Sequence, residues 1–400
     1  MKGVAVVGSV RAVVVGAVLC VAGLAVACTA APTAAPTSTP PSSSTSPSSS
    51  SVPASSSEPP PVPSAVSVAP TPDGGPLDDY LAGMAGQQQF RGAVEVRRGA
   101  DVLLRKGYGP ADVEAGIPIT PDTRFEVGSI TKQFTAVAVL RLQEQGKLRV
   151  TEPVCTYLPG CPAGWTAITV EQLLVHTSGL YNYTSAPEEE AAAFQNRQVA
   201  PSELISYVAG KPLDFPPGTQ WRYSNSGYVV LGALIERLSG MDYGTFLRRQ
   251  MFDALGMRDT RYDGGIPPRA KGYTDWTTPG EDHPSLYYAA GGLVSTTGDL
   301  AKWNAFLLGG KPAVLNADSL ASMTVVRAQV PGTSIGYGYG IEVHDSGPAP
   351  TYYHGGLVTG FRCANSIRPS TGLSITVLTN DTWIDPAAVA SRLAELADSL

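Results

Sequence analysis

Ser129 and Lys132, three residues apart in the run Phe125-Glu126-Val127-Gly128-Ser129-Ile130-Thr131-Lys132-Gln133-Phe134-Thr135, form the pair in this chain whose types and spacing could do covalent chemistry. On a helix, positions i and i+3 share a face, so the lysine amine can approach the serine hydroxyl. An amine that draws off that proton turns a weak nucleophile into one able to attack a carbonyl. The plain alternative is a serine that caps the helix and a lysine that points to water. Of the eight lysines, Lys132 alone has a serine three residues before it.

Two further groups could complete such a site. Tyr223-Ser224-Asn225 follows the turn Pro216-Pro217-Gly218-Thr219 and precedes a helix, where a loop can present side chains into a cleft. Tyr223 could shuttle a proton between nucleophile and leaving group, and Asn225 could bind a substrate amide. Read structurally, they are a core aromatic and a helix cap. His354-Gly355-Gly356 lies between the strand-like Thr351-Tyr352-Tyr353 and the next strand. Its glycines would let a substrate backbone approach closely, and the backbone N–H groups of Leu357 and Ser129 could hold an oxyanion. The structural reading is a hairpin turn with a surface histidine.

These residues need elements to position them. Pro76 to Phe90 has helical spacing, and Gly92 to Gly109 reads as two strands about a turn at Gly99-Ala100-Asp101. Ile130 to Gln145 is apolar on nearly all sides and stops at Gly146, which predicts a buried helix with a glycine cap. Between about Lys147 and Ala290 helices and loops dominate, with Thr169 and Gln172 as a capping box and Ser226 to Leu238 as a second apolar helix. Strands are expected at Ile341 to Val343, Thr351 to Tyr353, Gly360 to Ile367 and Leu373 to Leu378, then a helix from Pro386 to Leu400. The expected fold is α/β in the α+β sense. One antiparallel sheet is assembled from both chain ends and flanked by helices, with a large, mainly helical insertion at about 147–290.

The first 75 residues read differently. Met1 to Ala27 carries Lys2 and Arg11, then an apolar run, and ends in Ala25-Val26-Ala27, which is the pattern of a signal peptide. The small residues before Cys28 resemble the lipobox of bacterial lipoproteins, so Cys28 is expected to be acylated and to anchor the chain at the cell surface; simple cleavage and secretion is the alternative. Residues 28–75 are almost wholly Pro, Ser, Thr, Ala and Val, with Glu58 as the one charge from Thr29 to Pro72. Such a segment cannot offset its ordering entropy and reads as a disordered tether to a domain at 76–400.

The formal net charge is −6, and nothing in its distribution tracks a phosphate backbone, so no nucleic-acid partner is expected. Cys155 and Cys161 bracket a Pro-Gly turn and are expected to form a disulfide in an exported protein, with Cys363 as a small buried residue. The histidines His176, His283, His344 and His354 lack paired-ligand spacing, so neither metal nor other cofactor is expected. The domain is read as a monomer acting on a small molecule or a peptidoglycan peptide.

Taken in order, on a helix start, a loop and a strand edge, the three motifs resemble the serine penicillin-recognising family of β-lactamases, D-alanyl-D-alanine carboxypeptidases and related esterases. The likeness covers about residues 76–400. It includes Leu173 to Leu180, Tyr223 to Leu231 and Ala289 to Thr296, stretches read as structural, His176 included. Tyr223 and Asn225 match the Tyr-x-Asn of the class C branch. His354 stands where the family usually has lysine, similar to certain carboxypeptidases, D-aminopeptidases and esterases.

The resemblance implies a β-lactamase/transpeptidase-like fold and acyl transfer through a covalent ester at Ser129. Lys132 and Tyr223 then handle protons, Asn225, His354 and Gly356 bind substrate, and Ser129 and Leu357 supply the oxyanion hole. A D-alanyl-D-alanine carboxypeptidase or related peptidase is expected. A carboxylesterase of the same fold and a catalytically silent wall-binding lipoprotein are the alternatives. An ordinary Ser-His-Asp hydrolase is disfavoured because no Gly-x-Ser-x-Gly elbow occurs.

Overall fold

A computed structural model describes residues 75–194, 197–262, 269–280, 282–309, 311, 313–345 and 349–400. The expected signal peptide, the expected lipidation site Cys28 and the expected tether up to residue 74 lie outside the described residues. Chain order begins with helix α1 (Pro76–Gly86), strand β1 (Gly92–Arg98) and strand β2 (Asp101–Tyr108). Then come helices α2 (Thr131–Glu144), α3 (Val170–Leu174), α4 (Asn225–Ser239), α5 (Tyr288–Gly291) and α6 (Thr297–Gly309). The chain closes with β3 (Ala328–Gln329), β4 (Ile335–Tyr337), β5 (Glu342–His344), β6 (Thr351–Val358), β7 (Phe361–Arg368), β8 (Leu373–Thr379) and helix α7 (Pro386–Asp398).

The eight strands form one antiparallel sheet in the order β2-β1-β8-β7-β6-β5-β4-β3. The N-terminal hairpin therefore joins the C-terminal strands through β1 and β8, with Ala93 opposite Leu378 and Arg98 opposite Leu373. Alternation drives this join. Val94, Val96, Ile375 and Val377 pack with Leu77, Leu81, Val389 and Leu393 of α1 and α7 on one sheet face. Ala93, Leu378, Val358 and Cys363 belong to the second core, which contains α2 and the helical region.

Helix α2 is buried from Thr131 through Leu140, and Gly146 beyond its end has φ +69°, the left-handed conformation that a glycine stop supplies. Thr169 and Gln172 make the expected capping box on α3. Gly240 ends α4 at φ +72°. Cys155 and Cys161 are disulfide-bonded, and Cys363 is a free, buried thiol whose Sγ lies 3.4 Å from the Glu126 carbonyl. Among the described residues, no helix is long and apolar enough to cross a membrane.

Two sequence expectations change. His354-Gly355-Gly356 is not a turn between strands: β6 runs through it to Val358, and the turn comes at Thr359-Gly360, with Gly360 at φ +86°. β3 and β4 are strands that the sequence reading left out, both two or three residues long. Strands this short carry too little alternation to be read from pattern alone.

Candidate active site

Ser129 sits in a single 3-10 turn, Gly128–Ile130, that leads directly into α2. The turn is pinned from both sides. Phe125 and Glu126 pair with Ser295 and Val294 just before it, and the Val127 N–H donates to the Leu293 carbonyl. Gly128 has φ +51°, and a Cβ added there would lie 2.7 Å from the Leu357 nitrogen. The backbone amides flanking Ser129 and those at Leu357 are thus neighbours, as an oxyanion pocket requires.

The same crowding explains Gly356. A Cβ at this position would meet the Val127 carbonyl oxygen at 2.0 Å, so the missing side chain makes room for the Ser129 turn. Gly356→Ala must therefore displace either β6 or the turn. A loss of at least about 2 kcal/mol in urea unfolding, with slowed acylation, is expected; an unchanged midpoint and rate would contradict this packing.

Lys132 is fully buried one turn on, at 0% exposure. Its Nζ lies 3.0 Å from Ser129 Oγ, 2.7 Å from Asn225 Oδ1 and 2.7 Å from the Ala290 carbonyl. Burial alone holds its pKa well below the ordinary lysine value, which favours the neutral amine. A neutral amine has two N–H donors and one lone pair. The Asn225 and Ala290 oxygens can only accept, so they take the two N–H bonds, and the lone pair is left for the Ser129 hydroxyl proton.

Tyr223 completes the group. Its ring centre is 4.7 Å from Lys132 Nζ and 4.3 Å from the His176 ring, with 37° between the two rings. Burial raises its pKa, partly opposed by a hydrogen bond with Ser129, so the phenol rests protonated. A protonated phenol beside Ser129 is placed to give up a proton. Asn225 is the first residue of α4 and does not cap it with its side chain. Its Nδ2 donates to Thr184 Oγ1 at 2.9 Å, and its backbone N–H donates to Asn182 Oδ1 at 3.0 Å. One amide proton of Asn225 is thereby committed to the protein.

His354 is placed differently from the exposed turn histidine that its glycine neighbours suggest. It is 2% exposed in the middle of β6, with Nε2 3.0 Å from Tyr337 Oη and Nδ1 2.6 Å from the Gly355 carbonyl. Burial lowers its pKa to about 4, with Glu342 opposing and Lys132 adding to the shift. Both ring nitrogens are occupied and the ring is neutral at physiological pH, so it offers a substrate carboxylate neither a free donor nor a charge. The structure therefore brings Ser129, Lys132, Tyr223, Asn225 and Leu357 to one place and sets His354 and Gly356 behind them as framework. Sequence reasoning missed Tyr337, Asn182, Thr184 and the Ala290 carbonyl. Ala290 alone left a trace, in the stretch Ala289 to Thr296.

Residues 77–398 match the family model Beta-lactamase. The Bacillus subtilis (strain 168) protein named "Putative penicillin-binding protein PbpX" is 32% identical over 297 residues, 72% of this chain and 70% of its own length. A D-stereospecific amidohydrolase from Streptomyces sp. is similar at 30% identity and TM-score 0.66, over 77% of this chain and 97% of that structure. An octameric penicillin-binding protein homologue from Pyrococcus abyssi superposes at TM-score 0.71 and 27% identity, over 81% of this chain and 77% of that one. With the fold, the Ser-x-x-Lys pair and these likenesses together, the chain belongs to the beta-lactamase family of serine hydrolases.

Proposed function

We propose that this chain is an exported, cell-surface serine hydrolase that forms an acyl-enzyme at Ser129 and cuts D-alanyl peptides, D-alanyl-D-alanine termini among them. The observation that carries this reading is the fully buried Lys132 amine, 2.7 Å from the Asn225 and Ala290 oxygens and 3.0 Å from Ser129 Oγ, where burial lowers its pKa and so favours the form whose lone pair faces Ser129. Lys132 accepts the hydroxyl proton as Ser129 Oγ attacks the carbonyl, and the N–H groups of Ser129 and Leu357 hold the oxyanion. Tyr223 protonates the departing amine and recovers that proton from Lys132, so both groups are reset. The pair then takes a proton from the water that attacks the ester and returns it to Ser129 Oγ as the acyl–oxygen bond breaks. Export and lipid anchoring at Cys28 rest on the sequence pattern of residues 1–28.

A second reading within the same chemistry is favoured by His354. A buried, neutral histidine gives the third motif no cation to hold a substrate carboxylate, which suits amides or small esters whose leaving group carries none. Penicillin-binding and D-stereospecific amidohydrolase relatives agree with either substrate class.

The test is intact mass spectrometry of the purified domain after exposure to a penicillin, a nitrophenyl ester, a D-amino acid amide and an acyl-D-alanyl-D-alanine peptide. A single adduct mapped to the Ser129 peptide, turned over fastest with the D-alanyl peptide, is the expected result. Fastest turnover of the amide or ester selects the second reading, and no adduct from any of the four overturns both.

A further inference from the structure

A buried hydrogen-bond chain runs behind the site and joins two of its motifs. The Ser224 N–H donates to His176 Nδ1 at 3.2 Å, His176 Nε2 lies 3.1 Å from Tyr337 Oη, and Tyr337 Oη lies 3.0 Å from His354 Nε2. The far end is His354 Nδ1, 2.6 Å from the Gly355 carbonyl. All three side chains are at most 2% exposed, so no solvent competes for these bonds.

Both ends of the chain are backbone groups with fixed roles, which sets the part played by the ring nitrogen that meets each of them; the Tyr337 hydroxyl has Tyr228 as a further hydrogen-bond neighbour. Because the Ser224 N–H can only donate, His176 Nδ1 must accept and its proton must sit on Nε2. That N–H is given to the Tyr337 oxygen. Because the Gly355 carbonyl can only accept, His354 must carry its proton on Nδ1, which leaves Nε2 to receive the Tyr337 hydroxyl. His176 is therefore neutral; His354, whose pKa burial lowers to about 4, is neutral as well, so each ring holds one tautomer.

We propose that Tyr337 is a positioning residue for the acyl-transfer site: by accepting from His176 and donating to His354 it ties the Tyr223 loop to strand β6. The loop side of the tie is firm. His176 stacks on Tyr223, its carbonyl accepts from the Arg222 N–H at 3.0 Å, and it holds φ +62°, an uncommon conformation for a residue with a side chain. The strand side leads within three residues of His354 to Leu357, whose nitrogen neighbours Gly128. The tie thus spans the proposed acid and the proposed oxyanion donor without touching either reacting atom. Burial lowers the pKa of both rings, in keeping with the neutral forms. The ionisable groups facing the chain are Lys132, Tyr223, Tyr228, Glu342 and His344.

The activity part of this proposal rests on the Ser129 reading above; the tautomer part does not, so the two can fail separately. The full chain holds four histidines, which makes 15N-histidine labelling tractable. With His283→Gln and His344→Gln used to remove their signals, nuclear magnetic resonance near pH 7.5 is expected to show two neutral rings, one with the proton on Nε2 and one with it on Nδ1. Two Nε2-protonated rings, averaged tautomers or a charged ring would overturn the proposal. Tyr337→Phe removes only the hydroxyl. It is expected to keep the tautomers that Ser224 and Gly355 set, to shift the signals of both Nε2 atoms that lose the hydroxyl partner, and to lower kcat for acylation roughly tenfold or more, with KM moving less than about threefold. An unchanged kcat, or a loss confined to KM, in a folded Tyr337→Phe protein would also overturn it. Should that variant not fold, the tautomers of the unsubstituted protein decide the matter.

Discussion

Ser129→Ala is expected to abolish acyl-adduct formation and to lower kcat by roughly four to six orders of magnitude, the scale seen when a serine nucleophile is removed from a hydrolase. The fold should tolerate the change. Ser129 is half-buried in a one-turn helix whose backbone is held by Leu293 and the Phe125–Ser295 pairing, none of which uses its hydroxyl. Lys132 also remains satisfied, because a neutral amine with two N–H donors still has the Asn225 and Ala290 oxygens at 2.7 Å. Thermal or urea unfolding should therefore shift by no more than about 1 kcal/mol. Intact mass after exposure to a penicillin and a nitrophenyl ester, with the unfolding midpoint measured alongside, checks both halves. An adduct on the Ser129→Ala protein would mean that another residue is the nucleophile.

The sequence carried the site's chemistry further than its framework. Ser129, Lys132, Tyr223 and Asn225 could be read because their pattern is local: a spacing of three on a helix, or of two at a helix start. The sheet was legible for a similar reason, since β1, β2, β7 and β8 are seven or eight residues long and rich in apolar positions. His354-Gly355-Gly356 misled because two glycines signal a turn on local grounds. Their actual cause is tertiary, the close approach of Val127 and Gly128 to Gly356. No spacing in one chain announces that contact. Tyr337 was hidden in the same way: it lies 161 residues from His176 and 17 from His354 in sequence, and only the fold brings the three rings together.

The consequences of burying Lys132 can be separated from those of losing its charge. Lys132→Met keeps most of the apolar stem and removes the amine. It leaves the Asn225 Oδ1 and Ala290 oxygens without that donor, which should cost about 1–3 kcal/mol for each buried group left unpaired. Acylation should fall at least about a thousandfold, within the upper range for loss of a general base that activates a serine. Lys132→Arg should be equally inactive and less stable, because a guanidinium keeps its proton and would sit charged where burial alone already depresses the lysine.

The pH dependence gives the sharper test. The folded-state pKa of Lys132 is lowered, so the amine is neutral and able to accept a proton above that value and protonates as pH falls through it. Acylation by the unsubstituted protein should show an acidic limb there, and the residual rate of Lys132→Met should lack it. Stability carries the same sign. Between the lowered folded value and the ordinary lysine value the unfolded chain binds more protons than the native one, so stability rises with pH across that window, and Lys132→Met should flatten the rise. A Lys132→Met protein that retains the acidic limb would move the base to another group, and Tyr223, protonated at rest, would then have to act in both directions.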